Sequence, residues 1–505
     1  MKTLLSLLAL LTVLPATVWA QAPAGSEFQV NAYTTGAQRS EAVAVDGSGN
    51  FVVVWMSYGQ DGDGYGIFGR RFNASGAPQG AEFQVNSYTT NFQYRPGVAS
   101  DASGNFVVIW ESFNQDGPGG WGVFGQRFNA AGVPQGSYFQ VNSYTTGNQR
   151  FPRAAVDASG NFVVVWTSYG QDDGTGVFGQ RFNASGVRQG GEFQLNAYTT
   201  GFQSTASAAV DGAGNFVVVW SSRYQDGANI GVIARRYNAS GVPQGNEFVV
   251  NTFTTGDQAT FFSSSVASDP SGNFVVVWRS GAHDGDSSVT GIFGQRFDAS
   301  GTPQGGEFLI NTYTPDRQTA ASVAMDEHGS FVVVWSSRYQ DGSNYGTFGQ
   351  RFDPAGVPQG SEFQINSFIP GLQFAYGVAS SPDGDFVVGW HSFLQDGDNN
   401  GVFAQRYGDI IFEDGVDSGD LTRWSSSSTD GGDLSASGAA AMAGTSFGLQ
   451  AAVNDTNSLF VQDDTPDAEA ATALASISTP TASTPARPSR TFAPASSSPR
   501  APASA

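Results

Sequence analysis

Residues 48–55 read Ser-Gly-Asn-Phe-Val-Val-Val-Trp. The same words return as SGNFVVIW at 103–110, SGNFVVVW at 159–166, AGNFVVVW at 213–220, SGNFVVVW at 271–278, HGSFVVVW at 328–335 and DGDFVVGW at 383–390. The copies end at Trp55, Trp110, Trp166, Trp220, Trp278, Trp335 and Trp390, in steps of 55, 56, 54, 58, 57 and 55 residues. Each is a turn signal followed by a run of β-branched and aromatic residues. In an extended chain Phe51, Val53 and Trp55 face one way and Val52 and Val54 the other. Both faces are apolar, so every copy must be covered front and back. Burying one such side chain stabilises by roughly 1.5–3 kcal/mol. Sheets stacked between two neighbours meet that demand.

The rest of each unit supplies three more short strands. An alternating Glu-Phe-Gln-Val-Asn word stands at 27–31 and recurs at 82–86, 138–142 (with Tyr138 for Glu), 192–196, 247–251, 307–311 and 362–366. A polar loop leads to a strand at 42–46, a Gly-Asn turn to the tryptophan strand, and a Gln-Asp-Gly loop to a strand at 66–72. Four antiparallel strands in a unit of this length describe a propeller blade. Immunoglobulin-type sandwiches need about seven strands per domain. The expectation is an all-β, seven-bladed β-propeller over residues 25–407. If the strand at 42–46 is innermost, the seventh copy lacks an outer strand after Tyr407, and residues 27–31 are unclaimed. The N-terminal strand is therefore expected to complete the last blade and close the ring, leaving no bare edge.

Residues 1–20 carry Lys2, a leucine-rich run to Leu14 and small residues around Val18 and Ala20. This is the pattern of a bacterial-type secretory signal peptide, cut between Ala20 and Gln21. Export to the cell surface or medium is expected, with no membrane span, since no later apolar run approaches ~18 residues. The chain has 505 residues, no cysteine and a net charge of −21, and Lys2 is its only lysine. Without cysteine, stability outside the cell rests on the core rather than on disulfides. An acidic, lysine-free mature chain lacks the basic face that nucleic acid requires. A monomer is expected.

Strands alternate in direction, so the loops entering the innermost strand and those leaving the tryptophan strand share one face. That face carries Gln60-Asp61-Gly62, Gln115-Asp116-Gly117, Gln171-Asp172, Gln225-Asp226-Gly227, His283-Asp284-Gly285, Gln340-Asp341-Gly342 and Gln395-Asp396-Gly397. Beside aromatics, such Gln and Asp side chains can hydrogen-bond sugar hydroxyls; Asp-Gly is equally an ordinary turn dipeptide. Asp61 with Asp63, Asp172 with Asp173, Asp284 with Asp286 and Asp396 with Asp398 put carboxylates close enough to suggest calcium, although no EF-hand pattern is present. Arginine also repeats before the last aromatic of the third strand (Arg71, Arg127, Arg181, Arg236, Arg296, Arg351 and Arg406). It requires an acidic or carbonyl partner, for which Asp46 and its equivalents or the outer-strand Glu are candidates. Asn73, Asn183 and Asn238 open Asn-Ala-Ser words and are read as turn residues. His283, His328 and His391 each occur in one copy only, and metal spacings and a nucleophile elbow are missing. No catalytic residues are assigned.

Residues 25–407 resemble the bacterial secreted propeller repeats of the NFVVVW…QDG…FGQRF kind, a resemblance that implies the fold more than a function. The sialidase Asp-box has different spacing, and the integrin-type calcium loop is not reproduced. Lectin propellers are a functional analogy only. Residues 408–470 resemble the opening of a jelly-roll module, shorter than a full sandwich. Residues 471–505 are almost wholly Ala, Ser, Thr, Pro and Arg, a composition of disorder. Read one base out of frame, a DNA encoding ATALASISTPT at 471–481 can give RYRARFYFDPN, a strand of the kind that continues such modules, so this tail has the character of a frameshift product. The sequence supports an exported, non-catalytic protein presenting acidic and aromatic loops to a glycan or an extracellular protein. A structural or adhesive surface scaffold and an extracellular polysaccharide hydrolase are the alternatives.

Overall fold

A computed structural model describes residues 23–408, except 173, 261–263, 282 and 284–289, together with five short strands beyond them. Residues 23–408 form a seven-bladed propeller of antiparallel sheets. The first blade runs outward through Gln38–Val45, Phe51–Tyr58, Tyr65–Phe72 and Phe83–Gln84. The same order recurs in each blade to the seventh, where Gln373–Ser380, Phe386–Phe393 and Asn400–Tyr407 are followed by Phe28–Gln29. The chain start therefore closes the ring. Phe28 pairs with Ala404 and Gln29 with Phe403, the Val30 amide donates to the Val402 carbonyl at 2.8 Å, and the Val402 amide donates to Asn31 Oδ1 at 2.7 Å. Val85 and Asn86 do the same for the first blade, at 2.8 and 2.6 Å.

The seven tryptophans are the largest fully buried side chains. Each core lies between two blades. Val52 and Val54 of the first pack with Trp110 and Phe124 of the second, and Val53 and Trp55 with Val387 and Val402 of the seventh. The two-sided greasiness of the repeated strand is thus spent on two different neighbours.

The innermost strand differs in one respect from the expectation of a strand at 42–46. It starts at Gln38, which pairs with Ser57, and a β-bulge between Arg39 and Ala42 resets the register. The bulge holds Ser40, Arg95, Phe151, Thr205 and Ala320 at φ of 51° to 58°. Such a bulge bends the strand and re-aims side chains. In the fifth blade, the longest step, the innermost strand is split into Gln258–Ala259 and Val266–Ser268.

Beyond residue 408, Ser426–Ser428 pairs with Phe460–Gln462, and Gly448–Ala451 pairs with Leu434–Ser437 and Arg490–Phe492. Arg490–Phe492 lies in the stretch whose composition suggested disorder. The segment expected to be a signal peptide, the rest of the stretch that resembles a jelly-roll module and most of the tail lie outside the described residues.

Candidate functional site

The Gln-Asp-Gly loops are used by the blades themselves. Gln60 donates to Glu82 Oε1 at 2.6 Å, Gln225 to Glu247 at 2.7 Å and Gln395 to Glu27 at 2.6 Å, while Gln171 and Gln340 donate to Glu192 and Glu362. His283 stands where the other blades have Gln and keeps the contact, with Nε2 3.3 Å from Glu307. The other oxygen of the Glu accepts a backbone amide from the preceding blade: Ala32 to Glu82 at 2.8 Å, Thr312 to Glu362 at 2.6 Å and Ser367 to Glu27 at 2.7 Å. Gln115 is the exception. Tyr138 replaces the Glu there, and both polar atoms of Gln115 are buried without a partner.

The aspartates turn inward too. Asp61, Asp116, Asp226 and Asp396 accept from Asn86, Asn142, Asn251 and Asn31 at 3.0, 3.1, 3.0 and 3.4 Å. Asp172 accepts from Gln194 at 2.9 Å, and Asp341 from the Ser343 amide at 3.0 Å. The Asp61 carboxylate lies so close over Gly66 that a Cβ there would be 2.4 Å from Oδ2, which is why glycine follows the loop. Burial pushes the carboxyls of Asp61, Asp116 and Asp396 above the usual range.

The paired carboxylates do not converge. Asp63 accepts from the Asn91 amide and Asp398 from the Gly36 amide, both at 2.9 Å, and so tie neighbouring blades while Asp61 and Asp396 face their asparagines. Among the described residues no group of three or more His, Cys, Asp or Glu could hold a metal ion. Asp284 and Asp286 fall outside the described residues, as does Asp173.

The repeated arginines also hold blades together, through carbonyls rather than acids. Arg71 donates to Gln79 at 3.0 Å and to Ala130 of the next blade; Arg181 reaches Gln189 and Ala239 at 3.0 and 2.7 Å. Asp46, one candidate partner, instead caps its own turn through the Ser48 and Asn50 amides at 2.8 and 2.9 Å. Cavities of about 210 to 360 Å³ lie beside these arginines at five consecutive blade junctions, on the face of the Gly-Asn turns.

What distinguishes the opposite face is where the repeat is broken. The residue after each tryptophan changes from blade to blade: Met56, Glu111, Thr167, Ser221, Arg279, Ser336 and His391. In several blades its side chain accepts the amide of the next blade's bulge: Phe151 to Glu111 at 3.1 Å, Thr205 to Thr167 at 3.1 Å, Thr260 to Ser221 at 3.0 Å. One structural task is met by different chemistry in each blade. Glu111 is fully covered and also holds Arg95 at 2.6 Å and Arg150 at 2.9 Å. Tyr376 of the seventh blade donates its amide to Glu41 of the first at 3.0 Å and lies within electrostatic reach of Arg95, Arg39 and Arg153, so residues of blades seven, one, two and three come near one another. Arg153 is partly buried there, and burial lowers its pKa to about 10.

Above this plug, aromatic rings run in a chain across the first two blades. Ring centroids of Tyr58 and Tyr65 are 5.1 Å apart, Tyr65 and Tyr94 5.2 Å, Tyr94 and Trp121 5.1 Å, and Trp121 and Phe113 5.1 Å. Arg39 lies over Tyr65 at 5.2 Å and Arg150 over Trp121 at 4.7 Å, distances at which a cation is attracted by the ring face. Tyr58 is half exposed, and Phe113, Tyr94 and Trp121 are partly exposed. Blades four and five instead bring Thr205, Ser221 and Thr260 together through hydroxyl contacts of 2.9 to 3.2 Å. Aromatic contacts return in blades six and seven, where the Tyr345 and Phe374 centroids are 4.7 Å apart, so the hydroxyl cluster lies between two aromatic sectors.

The rim adds a strained pair. Tyr224 and Tyr339, each about half exposed, hold φ of 69° and 61° where blades one and three have Gly59 and Gly170. Arg223 and Arg338 cover their rings at 4.7 and 4.6 Å. A bulky residue in the left-handed region is an outlier.

No family model matches the chain, and no curated protein matches it. Solved propeller-like structures do. A protein of unknown function from Dyadobacter fermentans aligns over 78% of this chain and 99% of its own, with a TM-score of 0.46 and 10% identity. An ulvan lyase, from a new family of polysaccharide lyases, aligns over 77% and 94% with a TM-score of 0.45 and 11% identity. The α-L-arabinanase of Penicillium chrysogenum, solved with arabinobiose, covers 75% of this chain and 98% of its own at a TM-score of 0.41 and 11% identity. At such identities and TM-scores the likeness says nothing about chemistry, which has to come from this chain's own residues.

Proposed function

We propose that this is an exported, monomeric, non-catalytic binding protein that takes a glycan on the Gln-Asp-Gly face, over the aromatic sector of blades one to three. The observation that carries this reading is the run of rings from Tyr58 through the buried Tyr65 to Tyr94, Trp121 and Phe113, of which all but Tyr65 are partly exposed. Partly exposed rings present flat apolar faces, and the adjoining Arg39 and Arg150 supply donors, a combination suited to an amphipathic sugar ring. The axial carboxylates Glu41 and Glu111 are fully covered and bonded, which supports binding over hydrolysis.

The Gln-Asp-Gly residues themselves act in this reading as the frame of the face, each engaged within its blade apart from Gln115. That engagement is also what favours the runner-up, a rigid structural or adhesive disc. A glycan array probed with the full chain tests the difference. Binding that Trp121→Ala weakens by roughly tenfold or more, without loss of fold, supports the proposal. No bound glycan, or binding indifferent to Trp121 and Tyr94, leaves the scaffold.

A further inference from the structure

Arg39 is out of keeping with its surroundings. It sits in the innermost strand of the first blade, partly exposed, with its guanidinium 5.2 Å above the Tyr65 ring. Among the described residues it has no carboxylate within ion-pair distance, and its buried Nε finds no acceptor. The nearby axial arginine Arg150 is neutralised by Glu111, and Arg95 shares that carboxylate. Two guanidiniums on one carboxylate leave no negative charge over for Arg39. The only other axial glutamate, Glu41, is taken by His391 Nδ1 at 3.0 Å and the Tyr376 amide at 3.0 Å.

Partial burial of a guanidinium on an aromatic face, without a counter-charge, costs desolvation that the ring repays only in part. An incoming anion removes the deficit. Arginine fits this task better than lysine, because its planar fork meets a carboxylate or sulfate with two parallel hydrogen bonds. Tyr94 lies close enough to Arg39 to feel its charge and offers its ring beside it.

On the reading that a glycan occupies this face, we infer that the ligand is an acidic glycan whose carboxylate or sulfate group is received by Arg39, with its sugar rings on Tyr94 and Trp121. The two anionic groups share one chemistry here, and the probes separate them.

The test is calorimetric titration of the full chain with oligogalacturonate, a chondroitin sulfate oligomer, and their carboxyl-reduced and desulfated counterparts. Wild type, Arg39→Gln and Arg39→Lys are compared, with melting curves to verify folding. The expected result is that wild type prefers at least one acidic oligomer to its neutral counterpart by roughly ten- to hundredfold. Arg39→Gln erases that preference, bringing the ratio of acidic to neutral affinity close to one, and Arg39→Lys restores part of it. Equal binding of acidic and neutral forms by wild type, or an acidic preference that survives in Arg39→Gln, overturns the inference and leaves glycan binding standing. Failure of wild type to bind any oligomer, acidic or neutral, overturns both.

Discussion

Glu41 Oε2 of the first blade lies 3.0 Å from His391 Nδ1 of the last, both side chains buried. The same carboxylate accepts the Tyr376 amide, and His391 stacks on Tyr376 with centroids 5.6 Å apart. The two ends of the repeat array are thus joined at the axis by side chains, as they are joined at the rim by the Phe28–Gln29 strand. Glu41→Ala leaves the His391 ring and the Tyr376 amide without an acceptor, and loss of hydrogen bonds to a charged group costs roughly 2–3 kcal/mol. Equilibrium denaturation is expected to show that loss. Deleting residues 25–32 is expected to lower thermal stability as well, by baring the edge of the seventh blade.

Tyr138→Glu restores the repeat at the one place where the outer-strand glutamate is missing. Gln115 then gains the partner that Gln60 has in Glu82, and the Ser87 amide gains the acceptor that Ala32 has. A gain of about 1 kcal/mol is expected for relieving a buried, unbonded amide, less whatever the Tyr138 contact with Phe124 contributes. Unchanged or lower stability in denaturant titration would mean that Gln115 is satisfied in another way.

Asp61→Asn tests the electrostatic state of the Gln-Asp-Gly loops. Burial raises the Asp61 carboxyl above its ordinary value of 3.8, so the folded protein holds this proton more tightly than the unfolded chain. The associated stability is fully present below the unfolded value and is lost as pH rises through the raised folded one. The asparagine keeps the acceptor for Asn86 without a charge to desolvate. Melting temperatures of the variant are therefore expected above wild type at neutral pH, converging with it at about pH 3. A variant less stable at neutral pH would show that the ionised carboxylate is preferred.

Tyr339→Gly separates strain from binding. Releasing a non-glycine residue from the left-handed region is worth about 1 kcal/mol, so the melting temperature rises. If the exposed ring contributes to the ligand surface, affinity falls in the same variant. Stabilisation without loss of affinity would confine the binding surface to the axial sector.

Much of the fold was legible in the chain because the repeated word is apolar on both sides; Val52, Val53, Val54 and Trp55 admit few arrangements other than radial stacking. The unclaimed residues 27–31 likewise announced the closing strand. The roles of the loop residues were harder to see. Gln60 and Asp61 have their partners in the outer strand, at Glu82 and Asn86, and periodicity alone does not tell a side chain turned inward from one turned outward. A signal was available: the blade that loses its Glu, at Tyr138, leaves Gln115 alone, and His283 keeps the hydrogen-bonding role of Gln. Arg71 requires an acidic or carbonyl partner and finds carbonyls, since the turns at Gln79 and Ala130 bring their oxygens within its reach, while Asp46 caps its own turn. The axial plug was invisible to repeat reasoning because it consists of the residues that vary, at the position after each tryptophan and among the four positions after Gln38 and its equivalents.

Hydrogen–deuterium exchange of the full chain, with and without an acidic glycan that it binds, tests most directly where the ligand sits. Protection is expected at 58–65, 92–95 and 113–121, around Tyr58, Tyr65, Tyr94 and Trp121, with little change elsewhere. Protection confined to the Gly-Asn turns at 47–50 and 102–105, beside the cavities between blades, would contradict a binding site on the Gln-Asp-Gly face.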